Sequence, residues 1–124
     1  MACSKDELQR IASIATELSF TGGTVLAAEG HAGHEFMIIT EGTAEVSVRG
    51  KVVSKLGPDD FFGEVALLDG GPRSATVTAT SDVVVKAIEE REFSLLVHES
   101  PSIARKLLVA VARRLRAADL RLVE

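Results

Sequence analysis

The residues best suited to chemistry lie in one stretch of the sequence, from position 61 to position 77. Gly63 permits a close backbone approach at the start of a helical turn that we predict to begin at Glu64, and free amides at a helix start attract anions. Arg73 follows a second glycine-rich turn, at the predicted opening of a strand, and offers a planar, permanently charged fork that suits a phosphate. Glu64 only accepts hydrogen bonds when ionised, so it suits a hydroxyl donor such as a ribose 2′-OH. The stretch is therefore suited to a sugar phosphate, although an Arg73–Glu64 ion pair that holds a loop in place explains the same residues.

A second group of polar residues, His31, His34 and Glu35, raises the alternative of a metal site. Histidines and a glutamate that converge inside a β-barrel would be typical of a cupin-like metalloenzyme. These three residues belong to a glycine-rich turn, however, where side chains usually face solvent. We therefore expect no metal ion and no cofactor. The sequence also lacks a Gly-x-Ser-x-Gly nucleophile elbow, which favours a protein that is not an enzyme.

The elements that position these residues follow from the spacing of apolar residues and glycines. Ser4 and Glu7 form a capping-box pattern, and apolar residues at helical spacing predict a first helix that includes Leu18 and ends before Thr21. Between about residues 24 and 88, glycines divide the chain into short pieces in which apolar and polar residues alternate, as in short antiparallel strands. About eight such strands close most easily into a barrel or roll. The predicted fold class is mainly β: an antiparallel, jelly-roll-like β-roll with an N-terminal helix and a C-terminal helix pair.

The last section of the sequence is predicted to be helical again. Acidic residues start a short helix over residues 89–97, and Ser100-Pro101 supplies the cap and first residue of a long helix that reaches about Val123. The apolar residues of this long helix follow a heptad spacing: Leu108, Val111, Leu115, Ala118 and Leu122. Two repeats are too few to prove a coiled coil, so packing of this stripe on the chain's own barrel and homodimerisation through the helix both remain open.

Length and composition limit the classes of function. The 124 residues suffice for one compact domain and not for two, so we expect a single domain over residues 1–124. A formal net charge of −4 argues against a free-standing nucleic-acid binder, and the basic residues near the end of the chain fit a solvated helical face. No apolar run reaches the ~18 residues that cross a membrane, no signal-peptide pattern starts the chain, and the single cysteine, Cys3, forms no internal disulfide. We expect a cytoplasmic protein, bacterial or otherwise, that binds neither membranes nor nucleic acid.

The order of residues in the stretch resembles a known signature. The run Phe-Gly-Glu-x-Ala-Leu-Leu at residues 62–68, followed by Pro-Arg-Ser-Ala-Thr-Val at residues 72–77, is similar to the phosphate-binding cassette of the cyclic-nucleotide-binding domain family. That family includes the bacterial cAMP receptor proteins, the regulatory subunits of cAMP-dependent kinase and the cyclic-nucleotide-gated channels. The segments at residues 23–26, 29–30, 36–42, 56–64 and 112–115 resemble further landmarks in family order, so the resemblance covers nearly the whole chain.

The resemblance implies a role for each matching residue. Arg73 would bind the exocyclic phosphate oxygens, and Glu64 would accept the ribose 2′-OH, which selects ribonucleotides. Threonine at position 74 would resemble the cGMP-preferring channels and alanine the kinase subunits, whereas serine, which this chain has as Ser74, is seen in bacterial cAMP receptors. The expected ligand is therefore cAMP, with cGMP as the alternative. The ligand-binding residues that the resemblance implies are Phe62, Gly63, Glu64, Val65, Ala66, Arg73, Ser74 and Ala75.

The long helix is where this sequence departs from the family. In the bacterial receptors a Thr-Ser pair on this helix touches the adenine, one residue coming from each subunit, whereas Ala118 and Asp119 stand there in this chain. Together with Arg114, these residues are candidates for contact with the base or with a dimer mate. The bacterial receptors also continue into a winged helix-turn-helix, and this sequence contains no corresponding DNA-binding domain.

The function implied by the resemblance is that of a regulatory sensor. Binding of the cyclic nucleotide would order the cassette and repack the C-terminal helices against it, and so alter a partner or a dimer mate. The alternative of the same fold is a degenerate module that binds no nucleotide and serves dimerisation or docking.

Overall fold

The computed structural model describes residues 2–123, with side chains described for residues 2–118. This part of the chain forms four helices and eight strands. The helices are α1 (Lys5–Ile14), α2 (Glu64–Asp69), α3 (Glu90–Glu99) and α4 (Pro101–Val123). The strands are β1 (Thr16–Phe20), β2 (Val25–Ala27), β3 (Glu35–Glu41), β4 (Ala44–Val48), β5 (Lys51–Leu56), β6 (Phe61–Phe62), β7 (Thr76–Ala79) and β8 (Val83–Glu89).

The strands form two antiparallel four-stranded sheets that share one apolar core. The order is β1-β8-β3-β6 in the first sheet and β2-β7-β4-β5 in the second. Side chains from both sheets, among them Ile39, Val77 and Val85, form a single buried cluster. The roll consists of two sheets and is not a closed barrel. The predicted β-roll of antiparallel strands, with one helix before it and a helix pair after it, is confirmed.

The first helix is shorter than its apolar spacing predicted. α1 ends at Ile14, and Leu18 lies in β1, so the prediction of a helix that includes Leu18 was wrong. β1 pairs along its whole length with β8, where Leu18 stands opposite Val85. Leu18 and Phe20 alternate with polar residues and pack against the core of the roll. This alternation suits a strand, which buries every second side chain.

Glu7 connects the first helix to the last one. The predicted capping box is present, because the Ser4 hydroxyl accepts from the Glu7 amide at 3.2 Å and the Glu7 carboxylate accepts from the Ser4 amide at 2.7 Å. The same carboxylate also accepts from the Ser102 hydroxyl at 2.7 Å and forms an ion pair with Lys106. The hydrogen bond from Lys106, followed by those from Ser102 and Ser4, lowers the pKa of Glu7 to about 2. The buried carboxylate therefore holds α4 against α1.

The C-terminal helix pair packs on a second apolar cluster. This cluster joins Phe36 of β3 and Phe61 of β6 to Phe93 of α3. The Phe36 ring lies between the other two, with centroid distances of 5.4 Å to Phe61 and 4.9 Å to Phe93. From α4 the cluster receives Ile103 and Leu107, so these two residues define the face of α4 that is turned to the roll.

The heptad stripe of α4 does not form that buried face. Leu108 and Leu115 are 67% and 63% exposed, although Val111 packs partly against the second cluster. The alternative in which the stripe packs on the chain's own barrel is therefore wrong for these two leucines. The side chain of Leu122 lies outside the described residues. Neither α4 nor any other helix in the described part of the chain has an apolar stretch long enough to cross a membrane.

Candidate functional site

The backbone of Arg73 is held by the loop between β2 and β3. Its amide donates to the His31 carbonyl at 2.8 Å, and its carbonyl accepts from the Gly30 amide at 2.9 Å. This two-way pairing places Arg73 in the loop before β7, which begins at Thr76, and not at the opening of the strand as predicted. The turn that carries the histidines therefore supports Arg73 through its backbone, a role that the residue types gave no reason to expect.

The guanidinium group of Arg73 lies in a close-fitting cradle of backbone atoms. The residue is 8% exposed, and its Nη1 donates to the carbonyl oxygens of Glu35 at 2.9 Å and of Gly63 at 3.4 Å. A Cβ atom at Gly33 would lie 2.4 Å from Arg73 Nε, and one at Gly63 would lie 2.6 Å from Nη1. A Cβ atom at Gly63 would also lie 2.6 Å from the Glu35 carbonyl oxygen, so this position needs glycine, whereas a Cβ atom at Gly33 would require the arginine side chain to shift.

Arg73 is a largely buried cation. Burial lowers the pKa of its guanidinium, while the charges of Glu35 and Glu64 act in the opposite direction. Arginine nevertheless stays protonated in proteins, so the group remains a cation. Within the described part of the chain only Nη1 is engaged in hydrogen bonds, which leaves Nε and Nη2 as donors for an anion.

Glu64 begins α2 and is as deeply buried as Arg73, with 5% exposure. Its Oε1 accepts from Arg114 Nη1 of α4 at 3.1 Å, so the structure pairs Glu64 with Arg114 and not with Arg73. The loop-fixing Arg73–Glu64 ion pair considered from the sequence is therefore not the arrangement formed. Glu64 Oε2 is buried and has no hydrogen-bond partner among the described residues. Because an unsatisfied buried acceptor costs about 1–3 kcal/mol, this oxygen suits a hydroxyl donor.

Arg114 joins the long helix to the same site. In addition to its bond with Glu64, it donates through Nη2 to the Phe61 carbonyl, and its guanidinium lies 4.1 Å from the centroid of the Phe61 ring. A cation over an aromatic face is attracted by the ring, so three contacts of one side chain attach α4 to β6 and α2. A shift of the Glu64 side chain would therefore alter a direct contact of α4.

A cavity of about 240 Å³ lies between these groups and the second sheet. All eight residues that the resemblance implied as ligand-binding line it: Phe62, Gly63, Glu64, Val65, Ala66, Arg73, Ser74 and Ala75. Their role in binding stays a prediction. Of the three candidates on the long helix, Arg114 lines the cavity and Ala118 does not. The neighbouring residue Ala117 lines it instead. The side chain of Asp119 lies outside the described residues.

The opposite wall of the cavity is apolar and was not identified from the sequence. It is formed by side chains of β2, β4, β5, β6 and β7: Ala27, Val46, Val53, Leu56, Phe61 and Val77, with Ser54 as a polar member. Period-2 alternation indicated which of these side chains share a face of a strand, but it did not show which of them would line a cavity. The arrangement suits a ligand with an anionic group and a hydroxyl at one end and a flat apolar body at the other.

The histidines of the β2–β3 turn do not converge on a metal site. His34 Nδ1 lies 3.5 Å from Glu90 Oε2, and the His34 side chain is 73% exposed. Among the residues that the structure describes, no three His, Cys, Asp or Glu side chains are grouped so as to hold a metal ion. The arrangement required for a cupin-like metal centre is not formed by His31, His34 and Glu35.

The sequence of this chain matches the model of a known protein family. Residues 17–100 match the family model described as "Cyclic nucleotide-binding domain". Of the described residues that line the cavity, the matched segment contains all but Arg114 and Ala117, which lie on α4.

Two named proteins and one solved structure are similar to this chain. A Pycsar effector protein of Xanthomonas perforans, XpPycTIR, is 32% identical over 117 residues, which cover 93% of this chain and 39% of that protein. A cAMP-dependent protein kinase regulatory subunit of Yarrowia lipolytica is 39% identical over 92 residues, covering 73% of this chain and 24% of that subunit. The crystal structure of the Thermus thermophilus catabolite activator protein superimposes with a TM-score of 0.87 and 28% identity, over 98% of this chain and 59% of that one. This chain thus spans less than two thirds of the length of each of these relatives.

Proposed function

Because this chain belongs to the cyclic nucleotide-binding domain family, we propose that residues 1–124 form one such domain, which binds cAMP and has a regulatory, non-enzymatic role in the cytoplasm. The observation that carries the proposal is the presence, in one cavity, of a buried cation and a buried acceptor: Arg73 has donors, and Glu64 Oε2 has a lone pair, that no described residue engages. Arg73 binds the phosphate, and Glu64 Oε2 accepts the ribose 2′-OH. The base then lies against the apolar wall formed by the strands. The ligand is an effector and not a cofactor, and the chain itself has no nucleic-acid or membrane partner.

Two observations support cAMP over cGMP. Ser74 lines the cavity next to Arg73, and serine at this position resembles the bacterial cAMP receptors. A relative with 39% identity is named as a cAMP-dependent kinase regulatory subunit. The base-contacting polar pair of the bacterial receptors is replaced here by Ala118 and Asp119, so base selectivity rests on Ser74 and on the shape of the apolar wall.

The proposed mechanism is a population shift that α4 transmits. The cassette, residues 62–75, carries Glu64, and α4 reaches it through Arg114. A hydroxyl that donates to the free oxygen of Glu64 favours the arrangement in which the cassette and α4 are packed together. A ligand therefore stabilises α4 against the roll, and partners of α4 respond to it.

Calorimetric titration of the nucleotide-stripped protein tests the proposal. We expect micromolar or tighter binding of cAMP, weaker binding of cGMP, and a loss of affinity for 2′-deoxy-cAMP. A hydrogen bond to a charged acceptor is worth about 1.5–3 kcal/mol, so the deoxy analogue should bind roughly 10- to 150-fold more weakly. If the folded protein gave no heat with any of these nucleotides, the domain would instead be the docking or dimerisation module of the same fold.

We further propose that the chain forms a homodimer through the exposed stripe of α4. Leu108 and Leu115 are seven residues apart, which places them on the same side of the helix, and both are more than half exposed. Exposed leucines at this spacing gain free energy when a second helix covers them. The same helix carries Arg114, so the proposed interface lies next to the cavity.

Charge introduced into this stripe should dissociate the dimer. In the L108E/L115E variant, two acidic side chains would have to be buried, and we expect sedimentation velocity to show a monomer where the unaltered chain is a dimer. The matched control is L8E/V52E, which introduces the same charges at two apolar residues that are 56% and 48% exposed on other elements. A monomeric unaltered chain, or equal dissociation of both variants, would contradict the interface.

A further inference from the structure

A second concave surface lies along α4 and shares Arg114 with the nucleotide cavity. We call it the basic groove; it has a volume of about 550 Å³ and is bounded by Arg105, Lys106, Val109 and Arg113 of α4 and by Asp60 and Phe61. Arg114 also lines it, so the basic groove and the cavity share a wall. The proposed nucleotide binding leaves this surface without a role.

The charges of the basic groove are only partly matched. Lys106 forms its ion pair with Glu7, and the Asp60 carboxylate accepts from the Gly57 amide at 2.8 Å. Arg105 and Arg113 are exposed, and among the side chains of residues 2–118 neither has a hydrogen-bond or acidic partner. Two unmatched cations therefore flank one groove in a chain whose formal net charge is −4. Such a local excess attracts a partner of opposite charge.

The shape and floor of the groove favour a peptide over a flat or nucleic-acid surface. Phe61 and Ala110 lie within it, and Val109 is 41% exposed between the two arginines. A bilayer surface does not enter a recess between a helix and a strand, and a phosphate backbone offers no apolar group to cover Val109. A peptide supplies carboxylates and apolar side chains in the same segment.

We propose that the basic groove binds an acidic peptide segment of a partner protein, with carboxylates at Arg105 and Arg113 and an apolar side chain against Val109. The two arginines are eight residues apart, which corresponds to about 12 Å along α4 at about 1.5 Å per residue. An extended peptide advances about 3.3 Å per residue, so the two acidic residues should be about four positions apart.

The residues that carry the proposal, Arg105, Val109 and Arg113, line the basic groove and not the nucleotide cavity. Arg113 and Leu115 point about 160° apart around α4, and Val109 and Leu108 about 100° apart, so a dimer formed through the leucine stripe leaves Arg113 and Val109 open. Arg105 lies about 60° from Leu108, at the edge of the stripe. The groove also needs no nucleotide, and its occupancy is tested independently of cAMP binding.

The probe is a fluorescein-labelled peptide with two glutamates four positions apart and a leucine between them. In a fluorescence anisotropy titration we expect this peptide to bind, and a version with glutamine in place of both glutamates to bind much more weakly. Raising the salt concentration from about 0.1 M to about 1 M shortens the screening length from about 10 Å to about 3 Å and should weaken binding.

The decisive comparison is between two double charge reversals. R105E/R113E should weaken binding of the glutamate peptide by about tenfold or more, because each reversal replaces an attraction with a repulsion. K51E/R91E changes the net charge by the same amount at exposed residues of β5 and α3 and should bind as the unaltered chain does. All four residues are exposed, so both variants should keep the fold, which thermal unfolding checks.

Four outcomes would overturn the proposal. These are no binding of the glutamate peptide, equal binding of the glutamine version, unaltered binding by R105E/R113E, and equal loss in the K51E/R91E control. Binding to phosphatidylserine vesicles that is lost in R105E/R113E, with no peptide binding, would assign the groove to a membrane surface instead.

Discussion

Replacement of Arg73 with glutamine is expected to reduce cAMP affinity by roughly 30- to 5,000-fold, because truncation of one member of a buried charge contact costs about 2–5 kcal/mol. Arg73 is the cation that the backbone of Gly33, Glu35 and Gly63 positions in the cavity. Glutamine retains N–H donors but no charge, so the phosphate would be buried without a counter-ion. Calorimetric titration with cAMP measures the loss.

The stability of the ligand-free variant distinguishes this role from a structural one. The burial that lowers the pKa of Arg73 also makes its charge costly in the absence of an anion, which offsets the two hydrogen bonds to backbone carbonyls. Without ligand, we therefore expect the Arg73→Gln variant to unfold at a temperature close to that of the unaltered chain. With cAMP at about 100 times its Kd, only the unaltered chain should gain about 2.7 kcal/mol of stability.

Two controls complete the experiment on Arg73. Arg73→Lys keeps the charge but not the planar fork, so its affinity should lie between those of the unaltered chain and the glutamine variant. Arg91→Gln removes an exposed charge from α3 and should leave binding unchanged. Unaltered cAMP affinity in Arg73→Gln would show that the arginine does not bind the phosphate.

The fold was predictable to the extent that each element has one dominant period. The strands around Val46 and Val77 alternate with period 2, and their turns are marked by glycine, so the roll followed from local pattern. The segment around Leu18 fits both periods, because a single apolar residue continues a helical spacing and also alternates with its polar neighbours. Pairing with β8 decided the outcome, and that partner is more than sixty residues away in sequence.

The site divides into parts that are local in sequence and parts that are not. Glu64 and Arg73 lie within ten residues of each other, in a run whose order is distinctive, so their association could be predicted. The contact of Glu64 with Arg114 spans 50 residues and depends on the path of α4, which no local pattern specifies. Local pattern also could not show that Ala117, and not Ala118, lines the cavity, since neighbouring residues point about 100° apart around a helix.

The cradle of Arg73 was hidden for a different reason: it is made of backbone atoms. The carbonyls of Glu35 and Gly63 accept from the guanidinium, and the carbonyl of His31 accepts from its backbone amide. Side-chain identity therefore gives no signal for these contacts. The only sequence trace of the cradle is the glycine at positions 33 and 63, where a Cβ atom would meet the arginine.

Replacement of Gly63 with alanine is accordingly expected to have the second large effect, on both stability and binding. Gly63 has a φ of +97°, and its Cβ would lie 2.6 Å from both Arg73 Nη1 and the Glu35 carbonyl oxygen. The left-handed conformation costs about 1–2 kcal/mol for a residue with a side chain, and overpacking costs about 1–3 kcal/mol more. Urea unfolding should show a loss of unfolding free energy equal to the sum of these two costs. Calorimetry should show weaker cAMP binding, because the guanidinium is displaced.

Gly23 supplies the control that separates these two causes. It has a φ of +92°, and a Cβ atom there would meet nothing within 4 Å, so Gly23→Ala carries the backbone strain without the clash. We expect Gly23→Ala to lose only about 1–2 kcal/mol of stability and to retain its cAMP affinity. The excess loss in Gly63→Ala then measures the close packing around Arg73. If the two variants lost equal stability and both bound cAMP normally, the glycine contact would not be what positions the arginine, and the cradle would have to be held by the β2–β3 loop alone.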